Sequence, residues 1–224
     1  MPRRFIPFVT NEIYHIYNQG LDKRPTFTDQ RQYVRALETI HFYQYKTNLK
    51  LSTFLKLPKS EKESFTASHL KKENKHICIL SFCLMPNHFH LLVKQLHEGG
   101  ISRFASNFQN SYTKYFNTKH ERKGSLFLDQ FKAVRMETDE QFIHVSRYIH
   151  LNPYSSYITK SLEETQIYPW SSFREYVQPS PFDISDKEIL FSFFKTPNSY
   201  KNFVLDNASY QRELDKIKHL IFEE

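Results

Sequence analysis

Two histidines separated by one residue stand at the start of an apolar segment, in "LMPNHFHLLVKQ" (84–95). In a β-strand the side chains of His88 and His90 would face the same side, about 7 Å apart. Two imidazoles at that spacing can share a divalent metal ion. The alternative is a pair of polar residues on the exposed face of an edge strand. A zinc protease is not supported, because the sequence contains no H-E-x-x-H motif.

The segment "FIHVSRYIHLNP" (142–153) supplies further groups that could act on a substrate. Tyr148 and Asn152 are four residues apart, so on a helix they stand one above the other. A tyrosine hydroxyl can act as a nucleophile, and an amide oxygen can bind a metal ion. Each residue also has an ordinary explanation, Tyr148 as a packed aromatic residue and Asn152 as the end of a helix before Pro153. The residues alone leave this open.

Three other residues compete for these roles. His144 lies one helical turn before Tyr148 and could assist it, but we expect it to be structural or exposed. Tyr112 and Tyr115 are the rival nucleophiles. Because they fall on an apolar helical stripe, the pattern favours core packing for both.

The elements that must position these residues can be predicted from periodicity and turn signals. The pattern predicts strands at 12–20, 76–85, 88–96 and 125–136 and helices at 28–46, 101–120 and 138–152. Pro86 and Asn87 form the turn of a hairpin, and the last helix is expected to stop before Pro153. This order predicts an α+β fold, an antiparallel sheet with helices packed on it.

Two segments differ from the rest in composition. Residues 56–75 are charged and polar, which predicts a solvated insertion. Residues 181–224 hold six Lys and Arg against eight Asp and Glu, so the positive charge belongs to the first 180 residues. We therefore predict one domain over 1–178 and a C-terminal helical extension over 179–224.

Composition narrows the classes of function. The net charge of +7, the pI of about 9.2 and an aromatic content of 16% are typical of a protein that binds nucleic acid. Only four glycines are present, which argues against a glycine-rich phosphate loop. We expect a cytoplasmic protein with no membrane segment and no signal peptide. Cys78 and Cys83 should point to opposite faces of a strand and form no disulfide.

Five motifs resemble one known family. In this order, "YHIYNQG", "CLMPNHFHLLV", "GSLFLDQFKAV", "YIHLNP" and "YPWSSF" are similar to segments of single-tyrosine HUH transposases of the insertion-sequence-200-like group, above all the REP-associated branch. The resemblance covers residues 5 to 178. It implies a ferredoxin-like α+β fold and an enzyme that cuts and rejoins single-stranded DNA at hairpin-bearing sites.

The resemblance also implies roles for particular residues. The metal-binding histidines would be His88 and His90, the third ligand Asn152, and the nucleophile Tyr148, which would form a covalent 5′-phosphotyrosine. Mg²⁺ is the expected ion and Mn²⁺ its substitute, with zinc the rival on ligand type alone. We expect a nucleoid-associated monomer that uses its own tyrosine; a homodimer sharing tyrosine helices is the alternative.

Basic and polar residues outside these motifs could contact DNA. Arg3 and Arg4 would form a basic arm, with a disordered terminus as the alternative. After the first strand, Asn18, Gln19 and Lys23 could contact DNA in the manner of the family. A basic cluster after the third helix could also contact DNA, with a solvated face as the ordinary explanation: Lys114, Lys119, Arg122 and Lys123.

Two other functions compete with the transposase. One is a non-catalytic or domesticated protein that binds DNA hairpins on the same fold, which the intact set of His88, His90, Tyr148 and Asn152 disfavours. The other is a metal-dependent hydrolase of small phosphates, which the lack of acidic metal ligands disfavours.

Overall fold

A four-stranded antiparallel sheet forms the centre of the protein. The computed structural model describes residues 7–180 and 182–213. The strands are β1 (Ile13–Gln19), β2 (Ile77–Met85), β3 (His88–Gln95) and β4 (Lys132–Arg135), in the spatial order β2-β3-β1-β4. Since a helix follows β1 and another separates β3 from β4, the predicted ferredoxin-like α+β fold is confirmed.

Some of the helices begin at a side-chain cap. The Asp29 side chain accepts from the backbone N–H of Gln32, and the Thr138 side chain accepts from the backbone N–H of Gln141. The helices are α1 (Gln30–Phe42), α2 (Leu51–Phe54), α3 (Lys59–His69), α4 (Gly100–Lys119), α5 (Asp139–Ser155), α6 (Leu162–Gln166), α7 (Phe173–Val177), α8 (Glu188–Phe191) and α9 (Pro197–Leu205).

The sheet is covered on both faces. Helices α1 and α4 bury one face, around Ile16, Leu91, Phe104 and Phe108. Helix α5 covers the other face, with α7 and α9 packed beside it. Because both faces are buried, β2 is buried along its whole length, and its residues other than Ser81 are apolar instead of alternating with polar ones. Within the described residues, no helix combines the length and the apolar character needed to cross a membrane.

A β-bulge corrects the prediction for the cysteines. Ile79 pairs with Val93 and Ser81 with Leu92, so Leu80 is an extra residue in β2. The extra residue shifts the alternation by one, and Cys78 and Cys83 both face the α5 side. Both are free thiols, as expected, although not on opposite faces.

Two boundaries differ from the prediction. Helix α5 continues through Pro153 to Ser155, because a proline near the last turn removes only one backbone donor. Strand β4 begins at Lys132 and not at residue 125. The preceding segment leaves the sheet to bury Leu126 and Phe127 in the core.

Helices occur in the polar insertion and in the described part of the tail. Helix α3 lies in the predicted insertion and has no fully buried residue, although its Phe65 packs against Phe42. The described part of the tail packs against α5 through α9, where Tyr200 is fully buried.

Candidate active site

The two histidines of β3 lie side by side beneath α5. Their ring centroids are 5.0 Å apart with the ring planes at 88°. His90 is 6% exposed and His88 is half-buried. They face the same side of the sheet, as strand geometry predicts, because β3 is regular at this point.

Each of the two rings has its Nδ1 atom engaged. His88 Nδ1 lies 2.7 Å from Asn87 Oδ1, in the hairpin turn. His90 Nδ1 lies 2.9 Å from Nε2 of His15, on the neighbouring strand β1. Coordination of a metal ion by His88 and His90 would therefore use their Nε2 atoms.

Helix α5 brings Tyr148 and Asn152 over this pair. The Tyr148 ring is half-buried, 5.5 Å from the His90 ring and nearly perpendicular to it. Asn152 follows one turn later and is 3% exposed. Burial lowers the pKa of His88 to about 4, while the nearby Asn152 side chain acts in the opposite direction. One chain therefore brings all four residues together.

The donor set of this cluster fits a divalent ion. Asn152 Oδ1 is buried, and no donor of the described residues reaches it at ordinary hydrogen-bond distance and angle, although it lies near the His88 ring. A buried carbonyl oxygen without a donor is costly, and a cation would satisfy it. Two neutral imidazoles and an amide oxygen would hold Mg²⁺ or Mn²⁺ and leave positions for water or phosphate oxygens. No group of three or more His, Cys, Asp or Glu suited to a metal occurs in the described part of the chain.

Three nearby residues were not predicted from the sequence. His15 and Tyr17 of β1 share the face of His90, with their rings 5.1 and 5.6 Å from the His90 ring. Burial lowers the pKa of His15 to about 4. Lys132 of β4 pairs with Tyr17 and places its ammonium group 6.0 Å from that ring. The alternation of side chains along the predicted strand "YHIYNQ" indicates that His15 and Tyr17 share one face. Only the pairing register of β1 with β3 shows that this face also carries His90 and that His15 lies next to it.

The candidates after β1 divide into two groups. Gln19 is exposed and is the strand partner of His88. Lys23 is also exposed, and its backbone carbonyl accepts a hydrogen bond from the Asn87 side chain. Both lie at the site's edge. Asn18 is 4% exposed, and its amide nitrogen donates to Gln109 Oε1 and the Leu128 carbonyl. That buried position leaves Asn18 unsuited to a direct DNA contact.

The basic cluster lies at the end of α4 and in the following loop. Lys114 and Lys123 are exposed. Lys119 lies 2.5 Å from Asp29, and Arg122 donates to Asn117 and to the Ser125 carbonyl, so both help to hold the local structure. This loop reaches the same end of the sheet as His88, since Leu128 donates to the Gln19 carbonyl. Arg3 and Arg4 lie outside the described residues.

The rival residues lie elsewhere. Tyr112 is fully buried on the α4 side of the sheet, donates to the Thr26 carbonyl, and has its pKa raised by burial. Tyr115, on the same helix, lies beneath the Arg35 guanidinium. His144 is exposed, contacts Arg147 and packs near Phe203. None of these rings belongs to the His88–His90 cluster.

Comparisons with known proteins agree with this fold and its motifs. Residues 57–152 match the family described as "Transposase IS200 like", and this range contains all four residues of the cluster. A solved structure of a REP-associated tyrosine transposase bound to a REP hairpin is 15% identical, with a TM-score of 0.50 over 83% of this chain and 94% of that one. No curated protein sequence matches significantly. Both comparisons support the family that the motifs predict.

Proposed function

We propose that this chain, whose residues 57–152 belong to the IS200-like transposases, cuts and rejoins single-stranded DNA with Tyr148 as its nucleophile. The observation that carries the proposal is the position of the Tyr148 ring 5.5 Å from His90, with Asn152 one turn away. A nucleophile and a phosphate-binding centre must be adjacent in any phosphodiester transfer.

The chemistry follows from these groups. The Tyr148 oxygen attacks the scissile phosphorus, its proton is lost, and a 5′-phosphotyrosine forms as the 3′-oxygen leaves and takes up a proton. The 3′-hydroxyl can later attack the phosphotyrosine and restore Tyr148, so rejoining requires no ATP. A divalent ion held by His88, His90 and Asn152, Mg²⁺ in the cell or Mn²⁺ in its place, would neutralise charge on the phosphate oxygens.

The DNA would enter at the end of the sheet where β1 stops and β3 begins. Gln19 and Lys23 lie at this edge, and Lys132 flanks Tyr17 on the other side. The loop that carries Lys123 reaches the same end of the sheet and could contact the strand or the hairpin. A hairpin-bearing substrate is supported by the structural neighbour, which is bound to a REP hairpin.

We further propose that the active protein is a monomer. Its support is that Tyr148 lies over the His90 of the same chain, so no second copy is needed to complete the cluster. A dimer that exchanged α5 would place Tyr148 over the partner's histidines instead.

The decisive experiment is a search for a covalent adduct. The full chain is incubated with single-stranded DNA that carries a hairpin and flanking sequence, in Mn²⁺, and is then denatured in detergent. The proposal expects a protein–DNA adduct on the 5′ end of the cleaved product and a free 3′-hydroxyl on the other fragment. Hairpin binding without an adduct would indicate a binding protein. Hydrolysis of a small phosphate ester without an adduct would indicate a phosphate hydrolase.

A further inference from the structure

We propose that Asn87 and His15 are positioning residues, each of which sets the tautomer of one metal-binding histidine. Asn87 would act on His88 and His15 on His90, through the two Nδ1 contacts. The inference rests on the proposed function only in taking His88 and His90 as metal ligands. It assigns a task to two residues that take no part in the chemical step.

The Asn87 contact determines where the proton of His88 lies. The Asn87 amide nitrogen donates to the Lys23 carbonyl at 3.2 Å, which directs the amide oxygen toward His88. An amide oxygen can only accept, so His88 Nδ1 must carry the proton. The Nε2 atom of a neutral His88 is then unprotonated, as a metal ligand must be.

The His15 contact joins two buried imidazoles with one proton between them. If His15 Nε2 donated, the Nε2 atom of neutral His90 would carry a proton and could not bind a metal. If His90 Nδ1 donates, its Nε2 atom carries no proton and can bind a metal. The metal site therefore requires His15 to be the acceptor, with the proton on its own Nδ1. Since both rings are almost fully buried, their positions are held by packing as well.

The two contacts have the same effect on both ligands. A solvated imidazole favours the tautomer with the proton on Nε2, which is the wrong one for binding through Nε2. Each acceptor reverses that preference before the metal arrives and fixes the ring orientation. Loss of such outer partners typically lowers metal affinity about 10- to 100-fold. The location of Asn87 in the tight turn explains how one residue can serve both the hairpin and the ligand beside it.

The first test measures Mn²⁺ binding by calorimetry on the full chain without DNA. His15→Leu and Asn87→Leu remove the acceptors, and each should raise the Kd for Mn²⁺ about 10- to 100-fold. His15→Gln and Asn87→Asp keep an oxygen acceptor close to the same place and should bind Mn²⁺ far more tightly than the matching leucine variants. Equal affinities for the leucine variants and the wild-type chain would overturn the proposal.

The second test reads the tautomers directly in the metal-free protein. Long-range proton–nitrogen NMR of ¹⁵N-histidine-labelled chain distinguishes protonated from unprotonated ring nitrogens. We expect protonated Nδ1 atoms on both His88 and His90, and a shift of His90 toward the Nε2-protonated form in His15→Leu. A wild-type His90 protonated on Nε2 would refute the inference, even if every leucine variant failed to fold. Because neither test uses DNA or Tyr148, absence of a covalent adduct would refute the proposed function and leave these results interpretable.

Discussion

Replacing Tyr148 with phenylalanine separates chemistry from packing. The change removes one oxygen from a half-buried side chain and keeps the ring that lies against His90 and His15. Tyr148→Phe should therefore change the free energy of unfolding by less than about 1 kcal/mol. If the Tyr148 oxygen is the nucleophile, the same variant should bind Mn²⁺ and hairpin DNA and form no covalent adduct.

The matched control is Tyr112→Phe. The Tyr112 hydroxyl is fully buried and donates to the Thr26 carbonyl at 2.6 Å, so its loss leaves that carbonyl without this donor. We expect a loss of about 1 to 1.5 kcal/mol, which lowers the Tm by roughly 2 to 6 °C in a chain of this size. Since Tyr112 lies on the opposite side of the sheet from the histidine pair, its variant should still form the adduct.

The two variants thus predict opposite results in two assays. Thermal unfolding should detect Tyr112→Phe and barely detect Tyr148→Phe, whereas adduct formation on denaturing gels should show the reverse. Adduct formation by Tyr148→Phe at the wild-type rate would refute the assignment. Loss of the adduct in both variants would indicate that the assay reports folding.

Four further predictions concern the metal, the DNA and acid. His90→Ala should abolish cleavage and largely retain hairpin binding in a gel-shift assay; cleavage by His90→Ala in EDTA would exclude the metal site. Asn152→Ala should need more Mn²⁺ for cleavage, and excess Mn²⁺ should restore it there but never in Tyr148→Phe. The affinity for single-stranded DNA should fall with salt, with a slope of log K on log[salt] of about −0.7 per phosphate neutralised; a flat response would mean that the charge is incidental. Burial lowers the pKa of His76 to about 4 and that of His150 to about 3. In the unfolded chain the pKa of a histidine is about 6.5, so below that pH the unfolded chain binds protons on these two side chains that the folded chain does not. The free energy of unfolding should therefore fall as the pH drops from about 6.5 to 4, as urea titrations across that range can measure, and a free energy independent of pH there would contradict the burial of neutral histidines.

Local patterns in the sequence were sufficient for most of the fold. Strand alternation put His88 and His90 on one face, and the helical repeat put Tyr148 above Asn152, because both relations span only a few residues. The resemblance to a transposase family then connected two segments about 60 residues apart that periodicity could not relate.

Relations that depend on register or on tertiary packing were not predictable in this way. The bulge at Leu80 turned Cys83 to the same face as Cys78, and nothing in the apolar run marks that extra residue. His15 was missed because its partner is 75 residues away and is selected by strand pairing alone. Asn18 was predicted as a DNA contact because nothing in the sequence marks its buried bond to Gln109.

The position of α5 explains how a chemical site can be built on one sheet face within a single chain. Tyr200 of α9 bonds to Ser146 and to Nδ1 of His150, and Gln211 donates to the Tyr148 carbonyl. The helix is therefore held both by the strands that carry the histidines and by a segment that follows it in sequence. Exchange of α5 with another copy would break these buried bonds as well as the contacts with the sheet. A nucleophile helix held by the sheet and by a later segment of its own chain favours action on the histidine pair of that same chain.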